Sequence, residues 1–303
     1  MTEEPRPRPI PELSAAIITY NEADRIGACL ESLAPVCSEI LVLDSNSTDG
    51  TREICESYAN VRFIAQAFEG YAKQKNRALE YTNTPWVLCL DADELLAPGA
   101  AADIRRFLTA PVPDEITGAR MRRRTYHMGA YIEHGGWTHY RYRLVRRERA
   151  EWRGVGGMPL HELLYPTEDF GESWNRRNGV TLKGDIIHNS KSDLSNQVDT
   201  INVYSSIYAG ARHRQQVAHG RSHSHRKPLY LLRMLFKPPL KFIEIYFAKA
   251  GFLDGYRGLI IACSSSFATF LRWAKLYELA NTEVREASNL PQFLREQNGG
   301  SRK

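Results

Sequence analysis

"WVLCLDADELL", residues 86–96, runs five apolar residues straight into Asp91, Ala92, Asp93 and Glu94. Five such residues in a row have the length and character of a strand buried on both faces. The strand ends in a cluster of three carboxylates. Working outward, "YAKQKNRALEYT" (71–82) has helical spacing, "VRFIAQ" (61–66) reads as a strand, and "TREICESYA" (51–59) as a short helix opened by Ser47, Thr48 and Asp49. Before these come "SEILVLDSN" (38–46), a buried strand, "EADRIGACLESLAPV" (22–36), apolar at Ile26, Leu30 and Leu33, and "LSAAIITY" (13–20), another strand. This alternation predicts an α/β fold with a parallel, doubly wound sheet, whose ligand site lies at the carboxyl ends of the strands.

Three strands run into polar loops: Thr19 to Glu22, Asp44 to Gly50, and Asp91 to Glu94. Asn, Asp, Ser and Gly also make ordinary turns and caps, so the site is signalled by convergence of the three and not by any one. No GxGxxG follows the first strand and no GxxxxGK[ST] occurs anywhere, which disfavours a dinucleotide or P-loop site. Two carboxylates one residue apart at a strand end repel each other unless a cation or a shared proton sits between them. Hard oxygen ligands suit Mg²⁺ or Mn²⁺, which keep waters and bind through one or two carboxylates plus substrate phosphates. The cluster therefore reads as a metal and diphosphate site. Lys73, Lys75 and Arg77 on the preceding helix are candidates for the phosphate, Lys73 being the one assigned to it, and Asn76 reads as structural.

The chain has 303 residues, 43% of them hydrophobic, enough for a sizeable core. Five cysteines without CxxC spacing suggest no disulfide framework and fit a reducing cytosol. Residues 1–12, rich in proline and charge, read as a disordered lead-in and not as a signal peptide. No stretch reaches the roughly 18 apolar residues of a membrane-spanning helix. The net charge of +5 is unevenly placed. Between 120 and 153 stand ten arginines against three glutamates, interleaved with aromatics. This reads as a groove for an anionic acceptor, with guanidinium forks for phosphate or carboxylate. From Arg212 to Lys249 nine Lys or Arg face one acid, Glu244. There "LYLLRMLFKPPLKFIEIYF" (229–247) reads as a basic amphipathic element lying on an anionic membrane. The tandem Pro238 and Pro239 predict two short helices in place of one.

"AAIITYNEADRIGACLESL" (15–33), "EILVLDSNSTDGT" (39–51) and "YAKQKNRALEYTNTPWVLCLDADE" (71–94) resemble, in order and spacing, the family 2 glycosyltransferases with the GT-A fold. The resemblance is close over 13–100 and looser beyond 110. It implies a GT-A nucleotide-diphospho-sugar transferase fold with a nucleotide-sugar-binding half (13–110) and an acceptor half (111–200). A basic helical, membrane-associating extension (201–285) and a flexible tail (286–303) follow. It implies a UDP-sugar donor whose base and ribose meet Thr19, Tyr20, Asn21, Glu22 and Asp44, with Tyr20 stacking on the pyrimidine. In the "DAD" of Asp91, Ala92 and Asp93, Asp91 would face the ribose and Asp93 would ligate Mg²⁺ or Mn²⁺ at the diphosphate. Inverting transfer needs one general base near the acceptor hydroxyl, for which Glu162 and Asp185 are the candidates. The pair His161 and Glu162 resembles an "HE" segment in relatives that build lipopolysaccharide core, which favours Glu162. His188, in "IIHNS", is a candidate third metal ligand or diphosphate hydrogen bonder. No QxxRW motif is present, which argues against long polymer synthesis.

The resemblance is strongest to bacterial lipopolysaccharide core glycosyltransferases. It implies glucose as the sugar and a membrane-held anionic glycolipid as acceptor, with a cytoplasmic protein peripheral on the inner face of the cytoplasmic membrane. Nucleic acid is not an expected partner, and self-association into a homo-oligomer is left open. A transferase to polyprenyl phosphate is the enzyme alternative; its acceptor is already ionised, so Glu162 would be dispensable. A nucleic-acid-binding or lipid-binding module is the non-enzyme alternative, against which the carboxylate cluster stands.

Overall fold

The computed structural model describes residues 8–154, 162–167, 169, 173–189, 194–218 and 227–281. His161, most of the expected lead-in and the tail from 286 lie outside the described residues. The chain divides into two compact units. Among described residues the first takes 8–126, 139–153 and 162–189, and the second mainly 127–138, 194–218 and 227–281.

The first unit opens with β1 (Ile10–Thr19), α1 (Ile26–Leu33), β2 (Cys37–Asp44), α2 (Thr51–Glu56), β3 (Val61–Ala65), α3 (Tyr71–Glu80) and β4 (Trp86–Asp91). Then come β5 (Glu94–Leu96), α4 (Ala100–Thr109), β6 (Gly118–His127), β8 (His139–Arg146), β9 (Ala150–Gly154), β10 (Glu162–Pro166) and β11 (Gly179–Asn189), with β7 (Ala130–Ile132) in the second unit. The sheet order is β3-β2-β1-β4-β8-β6-β11-β5, and β9 and β10 form a separate ribbon. β3, β2, β1 and β4 are parallel, whereas β8 joins β4 antiparallel, so the doubly wound half continues into a mixed sheet.

Both faces of β1, β2 and β4 are buried, as their apolar runs require, whereas β3 at the edge is only partly covered. On one face Leu13, Ala15 and Ile17 of β1 pack with Ile26, Leu30 and Leu33 of α1, Cys55 of α2 and Ile104 of α4. On the other, Ala16, Leu41 and Leu43 meet Ala78 and Leu79 of α3 together with Val145, Trp152 and Leu164. Cys29, Cys37, Cys55 and Cys89 are buried in these layers, and Cys263 is exposed.

The second unit is built on α5 (Leu194–Ala218), α6 (Lys227–Ile243) and α7 (Gly255–Asn281), with α7 packed along both others. Ala209, Tyr230 and Leu276 form its inner cluster, and the Tyr230 hydroxyl donates to Gln216 Oε1 at 2.5 Å. α6 runs unbroken through Pro238 and Pro239, contrary to the expected break. Proline's fixed φ is itself helical; its cost is the missing N–H and the crowding of the preceding turn. Here packing on α7 holds the helix, and Ser266 Oγ donates to the Pro238 carbonyl at 2.9 Å. The chain then widens into a π-helical turn over Glu244–Ala248. No helix among the described residues is long and apolar enough to cross a membrane.

Candidate active site

Register places the first polar groups. Thr19 pairs with Asp44 across β1 and β2, and Ile18 pairs with Asp91 across β1 and β4, so three strands end on one edge. Asn21 (φ 53°) and Asn46 (φ 62°) turn the first two loops in the left-handed conformation that Asn tolerates best after Gly. The Asn21 N–H donates to Ser47 Oγ, and the Thr48 N–H donates to Asn21 Oδ1, both at 2.8 Å. The Glu22 N–H donates to Thr51 Oγ1 at 2.9 Å. Asp44 is buried and accepts the Ser47 N–H (2.7 Å) and hydroxyl (2.5 Å). Asn21 and Asp44 thus rigidify the loops. Tyr20 is 42% exposed and presents its ring at the edge.

Beneath the Asp91 end lies a buried ionic cluster. Lys75 Nζ is 2.6 Å from Asp91 Oδ1 and 2.8 Å from Glu162 Oε1, and it also sits 4.4 Å over the Trp152 ring. Arg143 reaches Asp91 Oδ2 at 3.0 Å and Glu94 Oε1 at 2.7 Å, and Arg123 also pairs with Glu94. Glu94 is fully buried, and its other oxygen accepts the Asp91 N–H at 3.1 Å. Burial alone would raise the Asp91 carboxyl; Lys75 and Arg143 overcome it and hold it well below the usual range. Burial likewise opposes the charge on Lys75, but Asp91 and Glu162 keep its ammonium above its ordinary value. Asn76 clamps the backbone of Trp152 by two bonds, 2.9 and 2.7 Å, fixing β9 over the cluster.

Asp93 lies on the outer side. β5 forms directly after it and pairs antiparallel with β11, setting His188 opposite Glu94. The Asn189 N–H donates to the Asp93 carbonyl at 3.0 Å, and His188 Nε2 lies 3.1 Å from Asp93 Oδ2. Arg25 is 3.7 Å from Asp93 and 2.5 Å from Glu22. Burial lifts the Glu22 carboxyl to about 6 in spite of Arg25. Asp93 and His188, both partly open to solvent, offer one carboxylate oxygen and one imidazole nitrogen. That donor set fits Mg²⁺ or Mn²⁺ only with diphosphate oxygens and waters completing the shell. Among the described residues no group of three His, Cys, Asp or Glu is arranged to hold a metal.

The structure thus gathers Thr19, Tyr20, Asn21, Glu22, Asp44, Asp91, Asp93 and His188 on the strand edge, with Glu162 tied in through Lys75. Lys73 is not part of it: it is exposed on α3, and Lys75, two residues on, faces the strand end instead. Ala92 packs its methyl into the core, leaving only its backbone to the site. Asp185 is held by both oxygens to Arg122 (3.0 and 2.7 Å), with Arg124 at 3.6 Å. Both of its oxygens are therefore engaged by guanidiniums of β6. The arginine-rich segment spends much of its charge internally: Arg122, Arg123 and Arg143 pair with carboxylates, Arg120 bonds Thr181, and Arg146 lies over Trp86 and bonds the Ile116 carbonyl. Sequence reasoning missed Arg25, Arg123, Arg143 and Trp152 as site residues. A period-two reading of "YRLV" would have found Arg143, which shares a strand face with buried Val145.

Residues 14–157 match the sequence profile of the family described as "Glycosyl transferase family 2". Over 274 residues the chain is 34% identical to the lipopolysaccharide core biosynthesis glycosyltransferase LpsC of Rhizobium meliloti, covering 88% of this chain and 92% of that protein. It is 27% identical to an uncharacterized glycosyltransferase of Rickettsia bellii, with 93% of each covered. Among solved structures, mannosyl-3-phosphoglycerate synthase from Rubrobacter xylanophilus superposes with a TM-score of 0.42 at 16% identity, over 69% of this chain and 74% of that one.

Proposed function

We propose that this chain, which belongs to glycosyl transferase family 2 and is a glycosyltransferase of GT-A fold, moves a sugar from a UDP-sugar to a hydroxyl of a membrane-held anionic glycolipid, with single-step inversion. The similarity to LpsC favours an acceptor of the lipopolysaccharide core type, and the family resemblance favours glucose. The observation that carries this reading is that Glu162 and the Asp91–Asp93 loop share one charged cluster through Lys75. A base and a donor site must lie side by side for a hydroxyl to be deprotonated as it attacks.

Tyr20 stacks on the pyrimidine, and the loops braced by Asn21 and Asp44 receive the base and ribose. Asp93 and His188 would hold a divalent ion, which when bound neutralises charge developing on the diphosphate. Glu162, positioned by its ion pair with Lys75, takes the acceptor hydroxyl proton as the new bond to the anomeric carbon forms and the bond to the UDP oxygen breaks. The test is slow hydrolysis of UDP- and GDP-sugars with Mg²⁺ or Mn²⁺, comparing wild type with Asp93→Ala and Glu162→Gln. Turnover of one UDP-sugar is expected, with a fall of about 10²–10⁴ in Glu162→Gln and loss of metal-dependent donor binding in Asp93→Ala. Neither turnover nor metal-dependent donor binding by calorimetry in wild type would overturn the donor assignment. Full transfer activity in Glu162→Gln would point to an already ionised acceptor such as polyprenyl phosphate.

A further inference from the structure

α6 is apolar on the side that faces water. Tyr230 and Pro238 are its buried residues, whereas Leu232, Leu235, Phe236, Leu240, Ile243 and, one turn on, Phe247 are each 51–66% exposed. Steps of three and four residues gather them on one stripe, about 25 Å long at the helical rise. A continuous exposed apolar stripe of this size marks an interaction surface and not a solvated face. Its charge indicates the occupant. Arg233, Lys237, Lys241 and Lys249 are interleaved with or flank the stripe; Glu244, the one acid from Lys227 to Lys249, pairs with Lys241 (2.9 Å) and Lys249 (2.6 Å), which leaves these five side chains three net positive charges, with Lys237 exposed beside Phe236.

We infer that α6 lies flat in the interfacial layer of an anionic phospholipid leaflet, with the six apolar side chains in the acyl boundary and Lys237 foremost among the cations meeting headgroup phosphates. This names the partner of the second unit and rests on the reading of a membrane-held acceptor. A helix of 17 residues carrying these charges is suited to lie on a bilayer and not to span it. A second copy of the chain fits less well, because two-fold pairing of the stripe brings the same basic residues face to face. Anionic lipid neutralises them.

The experiment is co-sedimentation of the full chain with phosphatidylcholine vesicles, with and without phosphatidylglycerol, none containing glycolipid. The expected result is partition onto the anionic vesicles that weakens with salt. Partition should be at least about tenfold weaker in the triple variant Leu235→Gln, Phe236→Gln, Leu240→Gln and severalfold weaker in Lys237→Glu. Circular dichroism should be unchanged, since all four positions are exposed. Wild-type partition by the triple variant would overturn the inference. So would a wild-type chain that ignores vesicles but sediments as a dimer which the triple variant dissociates. UDP-sugar hydrolysis without lipid, measured on the same samples, separates this outcome from failure of the transferase reading: it should be equal in wild type, the triple variant and Lys237→Glu.

Discussion

Arg143 holds two carboxylates that nothing else in the sheet can fully compensate. Glu94, which has no exposed surface, is shared with Arg123, and Asp91 is shared with Lys75. Arg143→Met should therefore leave each carboxylate with a single cation, Asp91 with Lys75 and Glu94 with Arg123, and cost about 3 kcal/mol, read from urea unfolding, whereas Arg147→Met should cost under about 0.5 kcal/mol. Glu22 makes stability depend on pH. Its folded value of about 6 lies above the ordinary 4.5, so between them the folded chain keeps a proton that the unfolded chain has released. Stability attributable to this group is fully present below the ordinary value and falls as pH rises through about 6, by on the order of 1–2 kcal/mol. In metal-free buffer, Glu22→Gln should show no such fall, and the gap in unfolding free energy from wild type should open across this window. The carboxylates were legible because three in four residues after an apolar strand is rare. Their cations were not, because an arginine in a strand or a lysine on a helix reads by default as solvated.

β11 is the element that completes the site, since its pairing with β5 delivers His188 to Asp93. Gly184 makes that strand's approach to α4 feasible. A methyl there would meet Ala100 Cα at 2.6 Å and its Cβ at 2.9 Å, both fixed by the helix start. Gly184→Ala should cost about 1–3 kcal/mol and lower UDP-sugar turnover, although the residue touches no reactant. The four parallel strands were readable to within a few residues, β1, β2 and β4 from their apolar runs and β3, interrupted by Arg62, from its place in the alternation. β6, β8 and β11 were not, because arginines paired within the sheet mask its two-residue alternation. The proline pair misled for a similar reason: local propensity named a break that packing on α7 overrides.

Across the whole molecule, positive charge has two fates. In the first unit the arginines of β6 and β8 are largely satisfied by the sheet's own carboxylates and carbonyls, whereas along α6 basic and apolar side chains are exposed together. Buried pairs are little screened by salt and exposed ones strongly. Raising ionic strength from about 0.05 to 0.5 M should leave lipid-free donor hydrolysis within about twofold while abolishing most vesicle partition. Comparing the two salt curves on one preparation checks this.

The five thiols give the fold a clock. Cys29, Cys37, Cys55 and Cys89 lie in α1, β2, α2 and β4, sealed in the first unit, and burial pushes each thiol up, Cys55 and Cys89 to about 12. Cys263 alone is exposed. A pulse of maleimide should mark Cys263 within the mixing time and the other four only as fast as their elements open. Mass spectrometry of the tagged peptides against pulse length would then date the opening of each strand and helix around the donor loops separately, without introducing a single substitution.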